Sequence, residues 1–314
     1  MLVMSKIGII GCGFVGSTIA YTLAVTGLVN EIVIVDLNKE KADGDALDIS
    51  HGISLVKPID IYAGDISDLK DCNIIVLTAG VNRVPSSSRL ELTRDNVNIF
   101  KSLIPEIASV NEDAIYLVVS NPVDVLTYVT HKILGKDHRK VIGSGTVLDS
   151  SRYRYILSRC LDIDPRNIHA YIIGEHGDTE FPVWSSTSIC GMSLSEYCAF
   201  AGNSLTCDNK IEIEKQVRGC GMEIIKKKGA TYYAVAMSVM RIIECILRDE
   251  RSILPVSSLI NGCYGIRDVS LSLPTILSSD GVDKVIETTL SDSEINKLIH
   301  SANTLKEVIR GVGF

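Results

Sequence analysis

Two short stretches of the chain carry side chains that together could handle a proton and a carboxylate. Val147-Leu148-Asp149-Ser150-Ser151-Arg152 supplies an acid and an arginine, and Gly174-Glu175-His176-Gly177-Asp178-Thr179 supplies a histidine. A protonated imidazole can quench the charge that develops on a ketone oxygen as a hydride reaches its carbon, and it takes the proton back in the reverse direction. A neighbouring carboxylate orients the ring and favours its charged form. A guanidinium grips a substrate carboxylate through two parallel hydrogen bonds. Arg152 follows Asp149 by three residues, so the first turn of a helix would carry both on one side. Spacing alone leaves plainer readings open: a histidine after a strand is often a surface or core residue, and Asp149 resembles a helix N-cap.

Such a site needs a hydride donor, and the N-terminus carries the pattern for binding one. Gly11-Cys12-Gly13-Phe14-Val15-Gly16 matches GxGxxG. It follows the apolar run Lys6-Ile7-Gly8-Ile9-Ile10 and precedes a helix read over residues 17–27, and the next strand, Ile32-Val33-Ile34-Val35, ends on Asp36. In that setting the motif is a dinucleotide-binding loop. Gly11 permits the tight turn, Gly13 lets the backbone approach the pyrophosphate, and Gly16 lets helix and strand pack closely. Phe14 and Val15 complete the loop at a helix N-terminus whose free N–H groups face the phosphates. Asp36 would accept hydrogen bonds from the adenosine ribose and repel a 2′-phosphate, which selects NAD over NADP. Lys41 either touches the adenine end or is a solvated lysine. Thr78-Ala79-Gly80 either contacts the cofactor at the carboxyl edge of the sheet, where ligands bind in such folds, or is an ordinary strand-to-loop turn.

Further apolar runs at residues 59–62, 73–77 and 115–119, alternating with helix-like sequence, indicate a doubly wound parallel sheet. Near Val141 the pattern changes. A helix from about residue 150 to 161 leads to an extended apolar segment at 168–173. Amphipathic stretches at 210–228, 230–249 and 293–311 then surround short strand-like runs at 253–259 and 269–273. The reading is an α/β chain: a Rossmann NAD-binding domain over residues 1–145 and an α+β catalytic, substrate-binding domain over 146–314, tightly packed together. At 314 residues, 46% of them apolar, the chain is long enough for two cores.

Composition excludes several classes. No apolar run approaches the ~18 residues of a membrane helix, and the start leads straight into a strand, leaving no room for a signal peptide. Nine scattered cysteines without CxxC or metal spacing fit reduced thiols in a cytoplasm, with no metal site expected. A net charge of −7 argues against nucleic acid.

The motifs GCGFVG, VSNPVDVLTY, GSGTVLDSSRYRY, YIIGEHGDTEFPVWS and KGATYYAVAMS resemble the lactate/malate dehydrogenase family, in particular its bacterial lactate dehydrogenase branch, from about Lys6 to Ile309. The resemblance implies His176 as proton donor and acceptor, Asp149 as its partner and Arg152 as the carboxylate clamp. It implies Arg89 on a mobile loop that closes over the substrate and polarises its carbonyl. It also implies that Asn121 binds the substrate oxygen near the nicotinamide and that Thr231 lines the pocket wall. A homotetramer follows from the same likeness. Arg154 and His169 match basic positions at which bacterial lactate dehydrogenases bind fructose 1,6-bisphosphate between subunits.

One departure bears on the substrate. Family lactate dehydrogenases commonly read Gln-Lys-Pro-Gly-Glu-Thr-Arg across the closing loop, whereas this chain reads Arg83-Val84-Pro85-Ser86-Ser87-Ser88-Arg89. Malate dehydrogenases are similar at that first arginine, which pairs with the second carboxylate of oxaloacetate. Burying Arg83 unpaired beside the methyl group of pyruvate would cost on the order of 3–5 kcal/mol. The expectation is therefore a lactate dehydrogenase scaffold with a slight preference for oxaloacetate, with pyruvate as the alternative. Two other classes stand beside it: an NAD-dependent glycosidase, for which metal ligands are not found, and a non-catalytic NAD-binding protein.

Overall fold

The computed structural model describes residues 5–81, 89–135, 138–202 and 205–314, without the side chains of Arg89, His138 and Cys207. Six strands, β1 (Lys6–Ile10), β2 (Glu31–Val35), β3 (Asp60–Ala63), β4 (Ile74–Leu77), β5 (Ile115–Val118) and β6 (Val141–Gly143), run parallel in the spatial order β3-β2-β1-β4-β5-β6. This is the strand order of the doubly wound dinucleotide fold. The central strands are short Ile/Val/Leu runs buried throughout, as they must be when helices cover both faces. Those helices are α1 (Phe14–Thr26), α2 (Lys39–His51), α3 (Arg89–Val110) and α4 (Val123–Leu134). Helix α1 starts at Phe14, three residues before the expected 17, because the motif's own Gly13 is its N-cap; it closes on the left-handed Gly27 as read.

The second half contributes α5 (Val147–Leu161), short strands β7 (Ile168–His169), β8 (Ile172–Ile173), β9 (Phe181–Pro182), β10 (Ser188–Ile189) and β11 (Met192–Ser193), then α6 (Leu194–Phe200), α7 (Cys207–Lys228) and α8 (Tyr233–Leu247). Three long antiparallel strands follow, β12 (Ile253–Asn261), β13 (Arg267–Ser278) and β14 (Gly281–Val285), and α9 (Asp292–Gly311) ends the chain. The halves are joined through hydrogen bonding: β12 pairs with β6, Ser257 opposite Gly143, so a single nine-stranded sheet runs through both.

That continuity departs from the sequence reading. The runs expected at 253–259 and 269–273 are the middles of longer strands, and neither β6 nor β14 was anticipated. Ser257, Ser258, Ser270 and Ser272 interrupt the apolar pattern although each is buried, and Pro255 faces Pro274 across the ladder. Period-two hydrophobicity therefore fades where the backbone pairing is strongest. The segment at 168–173 is also two strands, broken at Ala170-Tyr171 and shared between different small sheets.

Candidate functional site

The glycine loop is built for a phosphate group. Gly13 caps α1 without any side-chain hydrogen bond, and the first turn carries no acid, so the free N–H groups point outward. A Cβ on Gly13 would meet open space, whereas one on Gly16 would overlap the Gly11 carbonyl oxygen. Helix and strand thus touch where the backbone must come near a pyrophosphate. Asp36, at the end of β2, accepts the Cys12 N–H through Oδ2 (2.5 Å) and the Asn38 N–H through Oδ1 (2.8 Å). Its carboxylate is fixed against the loop with lone pairs remaining for two ribose hydroxyls. These residues fit a dinucleotide.

Two expected contacts turn out to have internal partners. The Lys41 ammonium bonds the Cys12 carbonyl and pairs with Asp45 at 2.7 Å, so it braces the loop from below. The Thr78 hydroxyl donates to the carbonyls of Ile10 (2.9 Å) and Gly11 (2.8 Å), and the Ala79 carbonyl accepts from Ser120 Oγ (2.6 Å). Gly80 packs against Asn96, a residue the sequence reading passed over. The Asn96 side chain bonds the Val81 N–H and the Asn121 carbonyl, both at 2.8 Å, and so links two ligand-facing turns.

The acid, arginine and histidine converge. Helix α5 begins at Val147, so Asp149 lies inside its first turn; Thr146, not Asp149, is the N-cap. Asp149 Oδ1 pairs with Arg152 Nη1 at 2.7 Å, and Oδ2 with His176 Nδ1 at 2.6 Å. Asp149 is 1% exposed and His176 27%. Burial works against ionising Asp149, but the His176 and Arg152 charges outweigh it and hold the carboxyl below its usual range. Burial likewise opposes a charged His176, and the adjacent Asp149 carboxylate overcomes it, pushing the imidazole up to about 9. The ring is therefore an acid at neutral pH, anchored through Nδ1, with Nε2 left for a substrate.

Long-range bonds bring these groups together. Gly145 turns β6 into α5 with a left-handed φ of 53°, and a Cβ there would sit 2.5 Å from the Ser257 nitrogen. Thr146 donates its hydroxyl to the Ile172 carbonyl (2.6 Å), and Ser150 Oγ accepts the Ile172 N–H (2.8 Å). The first turn of α5 is thereby fastened to β8, the strand that leads into His176.

A second carboxyl, Glu180, flanks the ring with Oε2 4.0 Å from Nδ1. Burial first, then the Asp149 charge, push Glu180 well above the usual carboxylate range. Of the two carboxyls next to the imidazole, Asp149 is thus held below the usual range and Glu180 above it. Asp149, His176 and Glu180 form a grouping with metal-ligand chemistry among the described residues, yet Asp149 has both oxygens paired within the protein and burial disfavours the Glu180 carboxylate.

Asn121 and His176 line one cleft together with Val119, Leu148 and Val235. Asn121 precedes a cis peptide bond to Pro122. Thr231 lies in the turn before α8, outside that lining. Arg83 and the Arg89 side chain lie outside the described residues. Arg154 is half-buried on α5, its Nε 3.3 Å from the Ser150 carbonyl, with burial lowering its pKa; His169 is exposed on β7. The arrangement suits a reaction in which a bound carboxylate on Arg152 presents an adjacent carbonyl to His176.

Residues 5–143 match the lactate/malate dehydrogenase NAD binding domain, and residues 146–312 the lactate/malate dehydrogenase alpha/beta C-terminal domain. The chain belongs to the lactate/malate dehydrogenase family. It is 57% identical to an L-lactate dehydrogenase of Thermoanaerobacterium saccharolyticum, over 98% of this chain and 99% of that protein. It is 52% identical to L-lactate dehydrogenase 1 of Clostridium acetobutylicum, over 98% of each. The solved minor L-lactate dehydrogenase from Enterococcus mundtii superposes with a TM-score of 0.95 at 38% identity, over 98% of both chains. A lactate dehydrogenase from a Medee basin deep-sea metagenome library gives 0.96 at 40%, over 99% of both. As a lactate/malate dehydrogenase the chain is an NAD-dependent oxidoreductase acting on CH–OH groups of 2-hydroxy acids. Among the described residues no helix is long and apolar enough to cross a membrane.

Proposed function

We propose that the chain is an L-lactate dehydrogenase, interconverting pyruvate and L-lactate. The observation that carries this reading is the run of relatives named L-lactate dehydrogenase, 49–57% identical over 96–98% of the chain. The preference for oxaloacetate drawn from Arg83 finds no support among those names, so pyruvate takes first place.

Arg152 uses its remaining donors on the substrate carboxylate while Nη1 stays on Asp149. Asn121 orients the carbonyl from the β5–α4 turn. The glycine loop and Asp36 would hold NADH, which would supply the hydride for C2 of the keto acid. His176 gives its Nε2 proton to the carbonyl oxygen and recovers one in lactate oxidation. Asp149 keeps the ring charged until then. The sequence resemblance adds Arg89, and Arg83 with it, as groups that a closing loop brings over the substrate and that exclude water.

A homotetramer, a cytoplasmic location and activation by fructose 1,6-bisphosphate at Arg154 and His169 belong to the same reading. Two cations repeated across a symmetry axis make a phosphate site. Steady-state NADH oxidation with pyruvate, oxaloacetate and longer 2-oxo acids, each with and without millimolar bisphosphate, tests it. Pyruvate should give the highest kcat/KM, and Arg83→Gln should raise its ratio to oxaloacetate. A higher kcat/KM for oxaloacetate overturns the substrate, and unchanged kinetics with bisphosphate overturn the activation site.

A further inference from the structure

His176 is held at two points. Asp149 holds the ring; the main chain is held by Asp124, whose Oδ2 accepts the His176 N–H at 2.7 Å. Asp124 is 1% exposed and sits in the first turn of α4, three residues after Asn121. The Ser257 hydroxyl on β12 lies beside this carboxyl and, like the His176 N–H, favours its charged form against burial. A backbone N–H needs an acceptor, and an amide oxygen would serve without burying a charge. Burial indeed pushes this carboxyl up to about 6. A carboxylate kept in so unfavourable a place does something an asparagine would not: its charge raises the proton affinity of His176.

We propose that Asp124 is a positioning residue for the proton carrier. It pins the His176 main chain to the same β5–α4 turn that presents Asn121, so the group that protonates the carbonyl oxygen and the group that orients it are set by one rigid element. The inference rests on His176 as the proton carrier. The charged and titratable groups around that imidazole are Asp149 and Arg152 from α5, Asp124 from α4, and Glu175 and Glu180 from its own loop. Glu175 is turned away, its Oε2 accepting from Thr179 Oγ1 at 2.5 Å. Among the described residues, Asp149 and Asp124 hydrogen-bond the histidine, while Glu180 Oε2 stands 4.0 Å from its Nδ1.

The test uses full-length enzyme, stopped-flow and steady-state kinetics across pH, and NADH fluorescence titration. Asp124→Leu removes acceptor and charge together, and a histidine displaced by about 1 Å costs roughly 100-fold in kcat. Asp124→Asn restores the acceptor alone; most of that loss should be recovered, while the basic limb of the pyruvate kcat/KM profile moves to lower pH. NADH affinity should match wild type in both. Asp124→Leu turning over within threefold of wild type overturns the proposal, and so does an Asn variant whose basic limb stays in place. His176→Asn is run alongside: full turnover there removes the premise about the proton carrier, whatever the Asp124 variants do.

Discussion

Asp149→Asn is the sharpest probe of the charge relationships in this site. Asp149 contributes most of the charge that lifts His176 from its ordinary 6.5 to about 9 against the opposing effect of burial, with Glu180 and Asp124 adding to it. That difference corresponds to about 3 kcal/mol favouring the imidazolium. At about pH 7.5 the wild-type ring is then roughly 97% protonated, whereas a ring returned to 6.5 is roughly 9% protonated. Pyruvate reduction should therefore fall by up to about tenfold at that pH from protonation alone. The deficit should narrow as pH drops towards 6, where solvent can protonate the ring unaided. Lactate oxidation needs the neutral imidazole, so its acidic limb should move from about 9 down towards 6.5. Losing Asp149 also frees Arg152 from its 2.7 Å ion pair and will change KM for pyruvate. For that reason the discriminating assay is the pH profile of kcat/KM in both directions, not the rate at one pH. A variant with a uniform loss and a limb still near 9 would refute the argument.

Three further outcomes follow from the same geometry. Asp124 has a folded pKa of about 6 against an ordinary 3.8, so the folded state binds its proton more tightly than the unfolded chain does. Stability contributed by that proton is present below about 3.8 and is lost as pH rises to 6, by up to about 3 kcal/mol. Asp124→Asn should accordingly melt higher than wild type at pH 7.5, with the gap closing towards pH 4; equal Tm values at both pHs would contradict the buried charge. Gly16→Ala drives a methyl into the Gly11 carbonyl, so fluorescence titration should show NADH binding weakened at least about tenfold, ~1.4 kcal/mol; unchanged affinity would refute the close approach. Glu180→Gln removes a carboxyl whose charge helps to hold the His176 imidazolium, so the basic limb of pyruvate reduction should move to lower pH, by less than in Asp149→Asn; an unmoved limb would show that Glu180 places no charge beside the ring.

The first half was legible because its signals are local. A glycine pattern between an apolar run and a helix, then a strand ending in an acid, fixes loop, turn and cofactor type within some thirty residues. The second half was harder to read. Strands β12 and β13 hide their pairing behind buried serines and facing prolines, and β14 gave no signal, because a ladder is stabilised by partners remote in sequence. The likeness of short motifs nominated His176, Asp149 and Arg152, but nothing local nominated Asp124, Glu180 or Asn96. Each matters only through a neighbour that folding brings to it.

Residue types along the chain determined which chemistry was available: an imidazole, a carboxylate, a guanidinium and a phosphate-binding turn. Tertiary structure decided their protonation states. Two aspartates and a glutamate have the same ionisable group and similar intrinsic acidity, yet Asp149 is held below its ordinary range while Asp124 and Glu180 are pushed above theirs. Burial raises all three; what separates them is the charges and hydrogen bonds each one meets, above all His176 and Arg152 at Asp149, in surroundings set by the β12–β6 seam and the bonds from α5 to β8.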